Sequence, residues 1–290
     1  MNNCSLFHIE ILKKSIFMSL LVLLLALVIG ISLGLIGGGG SILTVPVLVY
    51  VAGISPTIST AYSLFIVGGT SLVGAMNNIR QKLVHLPTAI IFSIPSLIAV
   101  YAVRKYIVPA IPKVIFTIGS LEVTKNMFIM VFFAAIMLFA AISMIRNKKQ
   151  EAENDDVSKI TFNYPLILLE GLVIGSLTGF VGAGGGFLII PALVMFAKLP
   201  MRLAIGTSLL IIAIKSLIGF IGDAQNTPDM DWTLLLTFTG IASIGIFVGA
   251  YLGKFMKAET LKKVFGWFVL VMAIYILTKE LVFPAPVAAH

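Results

Sequence analysis

The sequence is short of nearly everything a water-soluble enzyme relies on. Charged residues make up 11% of its 290 positions, less than half of the roughly 25% found in soluble domains. With so thin a polar coat and 59% hydrophobic content, the chain has to be solvated by lipid. A single cysteine, Cys4, excludes an internal disulfide, a cysteine-ligated cluster and a thiol relay. The three histidines, His8, His85 and His290, stand at no metal-ligand spacing. No span carries a Ser-His, Asp-Asp or His-rich set, so an intramembrane enzyme is not expected, and no metal or cofactor is called for. The net charge of +8 does not mark a nucleic-acid surface either. Its Lys and Arg residues fall in the gaps between apolar runs, where they act as a topology signal.

Those runs lie at 16–36, 41–52, 57–79, 87–108, 126–145, 164–182, 187–197, 203–222, 232–252 and 264–283. Residues 16–29 resemble a signal-peptide core, but the apolar run continues to Ile36 without a small-residue cleavage site and is read as a span. Runs 41–52 and 187–197 are too short to cross a ~30 Å hydrocarbon core as straight helices. Each follows a glycine run, Gly37 to Gly40 and Gly184 to Gly186. The expected organisation is an N-terminal tail 1–15, a first repeat 16–146, a polar linker 147–163, a second repeat 164–283 and a tail 284–290.

The two repeats are copies. An offset of 145 lays 27–46 over 172–191, and 20–80 against 165–225 gives 22 identities in 61 positions without a gap. Gly34/Gly179, Gly37/Gly182, Pro46/Pro191 and Ser63/Ser208 are matches that general apolarity does not supply. The fold class expected is an all-α integral membrane protein of two homologous halves, each with four full spans and one short helix after a glycine break.

Charge favours halves of opposite orientation. If each half crosses an odd number of times, twelve Lys and Arg lie inside: Arg80, Lys82, Arg146, Lys148, Lys149, Lys159, Lys198, Arg202, Lys254, Lys257, Lys262 and Lys263. Seven lie outside, namely Lys13, Lys14, Arg104, Lys105, Lys113, Lys125 and Lys279, and Lys215 is buried. The loop with Arg80 and Lys82 matches a loop, 223–231, that holds Asp223, Asp229 and Asp231.

Unpaired backbone is expensive in hydrocarbon, so a glycine break survives only inside protein or beside a watery cavity. Paired breaks at matching positions of two repeats point to a transporter's binding site. Short helices are expected to begin near Ser41 and near Phe187, each offering unpaired N–H groups to an anion. The candidate binding residues are therefore Gly38, Gly39, Gly40 and Ser41 with Gly184, Gly185, Gly186 and Phe187. The competing reading is close helix packing through small residues. A nucleotide-binding P-loop is excluded, because no Gly-Lys-Ser/Thr follows the glycines.

Lys215, inside LLIIAIKSLIGF, is the strongest single residue. An ionisable group within a span is a functional candidate with a partner to be found; an anion and Glu170 are the two considered, against a structural pair or a snorkelling lysine. Ser63, Thr207 and Ser208 could donate hydrogen bonds to an oxyanion or be bonded to their own backbone. Asn77 and Asn78 could line an entrance, and Asp223 is a proton-site candidate set against a solvated loop carboxylate. Trp232 and Trp267 fit an interfacial aromatic belt.

The doubled pattern G-x-x-G-x-G-G-x-x-x-x-x-P, at Gly34–Pro46 and Gly179–Pro191, is followed by Ser63-Leu64 and by Thr207-Ser208-Leu209. It resembles the sulfite exporter TauE/SafE family, also called the TSUP transporters, and Asp231-Trp232 resembles that family's "vDW" element. The resemblance implies a transporter of sulfite, an organosulfonate or sulfoacetate in a prokaryotic cytoplasmic membrane. It also implies a gradient of protons or sodium as the driving force, with a homodimer as a candidate assembly. A passive anion channel and a non-transporting scaffold are the alternatives. The first copy departs from the pattern: Tyr62 stands where threonine is usual, His85-Leu86-Pro87 replaces the "vDW" element, and 109–125 is a longer connection.

Overall fold

In lipid, every backbone N–H and C=O has to find a partner within the chain, and the apolar runs achieve this as helices. The computed structural model describes residues 20–118, 121–146, 164–182, 184–195, 197, 199–225, 230–253, 255 and 258–282. The tails 1–15 and 284–290 and the linker 147–163 lie outside the described residues.

The first half opens with α1, Leu20–Ile36. A 3-10 segment Gly37–Leu43, an α turn Thr44–Pro46 and a π segment Val47–Val51 follow without interruption and together form α2. Then come α3, Pro56–Arg80, α4, Leu86–Ala110, and α5, Lys125–Arg146. The second half repeats the order with α6, Tyr164–Val181, α7, Gly186–Met195, α8, Met201–Ala224, α9, Trp232–Leu252, and α10, Ala258–Val282. Among the described residues, five helices are long and apolar enough to cross a membrane: Pro56–Arg80, Leu86–Ala110, Lys125–Ile142, Arg202–Ala224 and Trp232–Leu252.

Two expectations are corrected. The fold is not wholly helical, because the long connection after α4 holds an antiparallel hairpin, β1, Val114–Ile118, and β2, Leu121–Thr124, with Val114 opposite Thr124 and Ile118 opposite Leu121. Alternating β-branched residues in VIFTI favour such a strand once the chain has left the helix. The first short helix also starts earlier than expected, with a 3-10 turn at Gly37 rather than near Ser41, while the second starts at Gly186, beside Phe187 as expected. The reversal after α1 is made at Gly37 alone, with φ 69°, so the glycines after it are free to be helical. In the second half the left-handed residues are Gly182, Gly184 and Gly185, which delays the helix.

The packing is pseudo-symmetric. Helices α3 and α8 pack at the centre, α2 packs on α7, α5 on α10, α4 on α6 and α8, and α9 on α3. Glycines spaced four apart let two of these contacts close. Gly30 of α1 lies on Ala242 of α9, and Gly34 on Ile246 and Gly249; equivalently, Gly171, Gly175 and Gly179 of α6 lie on Phe92, Ser96 and Val100 of α4. Both pairs run parallel. The central pair runs antiparallel, since Leu64 faces Gly219, Gly68 faces Leu217 and Gly74 faces Leu209.

The exterior is apolar and the interior holds polar groups, the reverse of a soluble domain. Ile98, Phe139, Leu236, Ile244 and Val271 stand 60% or more exposed on the flanks of α4, α5, α9 and α10. Trp232 is exposed at the start of α9, as an interfacial belt requires, whereas Trp267 is exposed in the interior of α10, nine residues after its start.

Candidate functional site

The two glycine breaks meet. A Cβ on Gly38 would fall on the Cα of Gly186, and a Cβ on Gly186 would fall on Gly38, so only two glycines allow the backbones this approach. Ile212 of α8 closes one side of the contact at Gly38, while Val67 of α3 and Ile212 flank Gly184. Gly39 and Gly40 continue the 3-10 turn, and Ser41 bonds its own segment, donating to the Gly38 carbonyl at 2.7 Å.

Lys215 reaches this junction from α8. It is 1% exposed, and its Nζ lies 3.1 Å from where a Gly185 Cβ would be. The ammonium donates to Thr178 Oγ1 at 3.1 Å, and Thr178 in turn donates to the Gly175 carbonyl at 3.2 Å. Among the described residues, no carboxylate pairs with Lys215. Glu170 stands two turns before Thr178 on α6, about 12 Å along the axis, and its buried Oε1 has no partner. The numbers of facing residues on α3 and α8 put Lys215 opposite Thr70 at the middle of the crossing.

Ser216, whose Oγ lies 3.4 Å from where a Gly184 Cβ would be, and Thr70 are buried without hydrogen-bond partners among the described residues, as are Thr44, Ser63 and Ser71 elsewhere on α2 and α3. Buried polar atoms are nearly always satisfied, so these hydroxyls are exceptions within the core. Of the three hydroxyls singled out from the sequence, Ser63 is the one without a partner. Ser208 donates to the Ile205 carbonyl at 2.8 Å and lies against Gly37. Phe187 is the second residue of α7, next to the junction.

Thr207 has a different duty. Its Oγ1 accepts from the His85 N–H at 2.9 Å, and His85 caps α4 through Nδ1, which accepts from the Thr88 N–H at 3.4 Å. Burial pushes the His85 pKa down, which favours the neutral ring that can accept this bond. The same arrangement recurs in the other half. Tyr62 Oη accepts from the Asp231 N–H at 2.6 Å, and Asp231 caps α9 by accepting from the Leu234 N–H at 2.9 Å. Each hydroxyl thus clamps the start of a helix belonging to the opposite repeat. The departures at Tyr62 and His85 belong to these matched clamps, and a phenol reaches as well as a threonine does. Tyr62→Phe is expected to lose about 1 kcal/mol by leaving the Asp231 amide without this acceptor, measured as a lower midpoint of thermal unfolding; an unchanged midpoint would remove the clamp.

Asn77 and Asn78 line a small recess with Gly34, Gly74, Leu209 and Ala250. Asn78 also donates to the Gly74 carbonyl at 3.1 Å. Asp223 is a correction: it is not in a solvated loop but 7% exposed in the last turn of α8, paired with Arg104 at 3.2 Å. Helix α8 runs two residues past the apolar run, to Ala224, and carries Asp223 to the buried Arg104. Arg104, expected among the outside charges, is fully buried in α4. The signal available in the sequence was a basic residue inside run 87–108 and an acidic one at the end of a run in the other half.

An apolar exterior and, among the described residues, five helices long and apolar enough to cross a bilayer, packed around two short broken helices, define an integral membrane protein. The chain belongs to the sulfite exporter TauE/SafE family, whose model matches residues 22–276. It is 28% identical over 255 residues to a probable membrane transporter protein of Xylella fastidiosa, covering 87% of this chain and 92% of that one. It is 26% identical over 259 residues to the probable membrane transporter protein YunE of Bacillus subtilis, covering 83% and 90%. A probable membrane transporter protein of Methanocaldococcus jannaschii is 33% identical over 130 residues, 41% of this chain and 48% of that one. No solved structure matches the chain.

Proposed function

We propose that the protein is a secondary transporter that moves a small sulfur-containing anion, such as sulfite or a sulfonate, by alternating access between two inverted halves, 16–146 and 164–283. The observation that carries this reading is Lys215, a buried ammonium without a carboxylate, beside the glycine junction at the centre of the α3–α8 crossing. A tetrahedral or pyramidal oxyanion would balance the ammonium and accept from the orphaned hydroxyl of Ser216 beside Gly184. The N-terminal end of α7 adds its dipole at Gly185 and Gly186.

Inversion is supported by the direction of the central helices. Copies related by an axis along the membrane normal would place α3 and α8 parallel, whereas an axis in the membrane plane makes them antiparallel, as their contacts run. The parallel pairs α1–α9 and α4–α6 fit either axis and do not discriminate. Removing Arg104 from the outside charges leaves twelve Lys and Arg against six, so the charge bias is strengthened. Rocking one half against the other would open the junction to each side in turn, with a proton or sodium gradient as the driving force.

The test is uptake of labelled sulfite into proteoliposomes, with and without an imposed proton gradient, against competing sulfonates, thiosulfate and chloride. Gradient-dependent accumulation inhibited by sulfonates is expected. Downhill flux indifferent to the gradient would make the protein a channel, and absence of flux for every sulfur anion would overturn the substrate class.

A further inference from the structure

Arg104 is a charge the bundle does not need. The position equivalent to it in the other half is Ala250, because Gly34 approaches Ile246, Gly249 and Ala250 as Gly179 approaches Val100 and Val103. Opposite Ala250 stands Asn78, the repeat-mate of Asp223, and the space there is an open recess. The same helix packing is thus made in one half with an alanine and in the other around a buried guanidinium.

That guanidinium is held by one edge only. Its Nη1 donates to Thr60 Oγ1 at 3.0 Å and pairs with Asp223 Oδ2 at 3.2 Å, which fixes the plane of the group. Nε and Nη2 are buried and have no hydrogen-bond partner among the described residues. They form the side-on fork of the guanidinium, two parallel N–H donors spaced to meet two oxygens of one anion. Nη2 lies against Gly182, the first residue of the second glycine break, where a Cβ would collide with Nη2 and with Thr60. Gly182 takes φ 74° and stands three residues before Gly185, which lies beside Lys215. The aim of Arg104 is set by a π segment, Val103–Ile107, whose i→i+5 pattern shows in the bond from the Val108 N–H to the Val103 carbonyl. Pro109 is its cause, because proline cannot bond to the carbonyl four residues back and crowds it. The equivalent stretch of α9 is a regular helix.

We propose that the Nε/Nη2 edge of Arg104 is a second anion-binding element of the transport path, taking two oxygens of a sulfur oxyanion side by side at the Gly182 end of the second break. The inference rests on the reading of the glycine junction as an anion site and deepens it: Lys215 supplies a point charge at the centre, and Arg104 supplies the geometry that tells an O–S–O edge from a halide. Asp223 and Thr60 are positioning residues, since they hold Nη1 and leave the fork free.

The wild-type protein itself gives the first test. It has four arginines, Arg80, Arg104, Arg146 and Arg202, and Arg104 is the one that is buried. Protein labelled with nitrogen-15 at arginine is titrated in detergent with sulfite, methanesulfonate and chloride, while calorimetry reports binding. The slowly exchanging Arg104 Nε–H signal is expected to shift saturably with sulfite and methanesulfonate and to stay put with chloride. Arg104→Lys, which keeps the charge and loses the fork, is expected to bind sulfite at least tenfold more weakly with chloride affinity unchanged. Sulfite binding to the wild type with the Arg104 signal unmoved overturns this inference alone, whether or not the variant folds. Calorimetry that finds no binding of either sulfur anion overturns both this inference and the substrate reading beneath it.

Discussion

Lys215→Met is expected to abolish anion uptake while leaving the fold intact or more stable. The side chain is fully enclosed, and holding an ammonium there costs several kcal/mol of desolvation. Its hydrogen bond to Thr178 Oγ1 returns only part of that. Methionine fills a similar volume without the charge, and Thr178 keeps its bond to the Gly175 carbonyl. A structural lysine and a binding lysine therefore separate cleanly. Removing one partner of a buried charge pair costs about 2–5 kcal/mol of affinity, so uptake at low substrate should fall at least ~30-fold. The midpoint of unfolding should stay or rise. Wild-type uptake by Lys215→Met would take the residue out of the site, and a collapsed unfolding midpoint would make it structural.

Gly38→Ala is expected to prevent normal folding, because the added methyl meets the Gly186 backbone rather than a side chain that can turn away. Overpacking a core costs about 1–3 kcal/mol where neighbours repack; here the neighbour is the other break, and the loss should exceed that range. Gly240→Ala is the matched control, since nothing lies within 4 Å of a Cβ there, and alanine in a helix interior gains about 0.5–1 kcal/mol over glycine. The measurement is the yield of monodisperse protein and its unfolding midpoint in detergent. Equal behaviour of the two variants would mean that Gly38 and Gly186 do not touch.

The glycines show how far composition carries. Read singly, Gly30, Gly34, Gly171, Gly175 and Gly179 look like the runs at 37–40 and 184–186, yet they do the other job considered for glycine. They let α1 settle on α9 and α6 on α4. Spacing tells only part of this: glycines four apart in a helix share a face, whereas in the runs Gly37, Gly184 and Gly185 free the backbone while Gly38 and Gly186 let the two breaks touch.

The sequence by itself determined that the chain lives in lipid, that it is doubled, where its helices lie to within a few residues, and that one lysine sits where a charge is out of place. These follow from apolarity, periodicity and self-comparison, all of which are local or one-dimensional. The tertiary structure decided which distant groups meet. Arg104 and Asp223 are 119 residues apart and look like loop charges until α4 and α8 bring them together. Tyr62 and Asp231, and Thr207 and His85, become matched clamps only when the halves interlock. The direction of α3 against α8 is likewise a property of packing. A charge on a span end can equally face water or a partner, and only the position of the next helix says which.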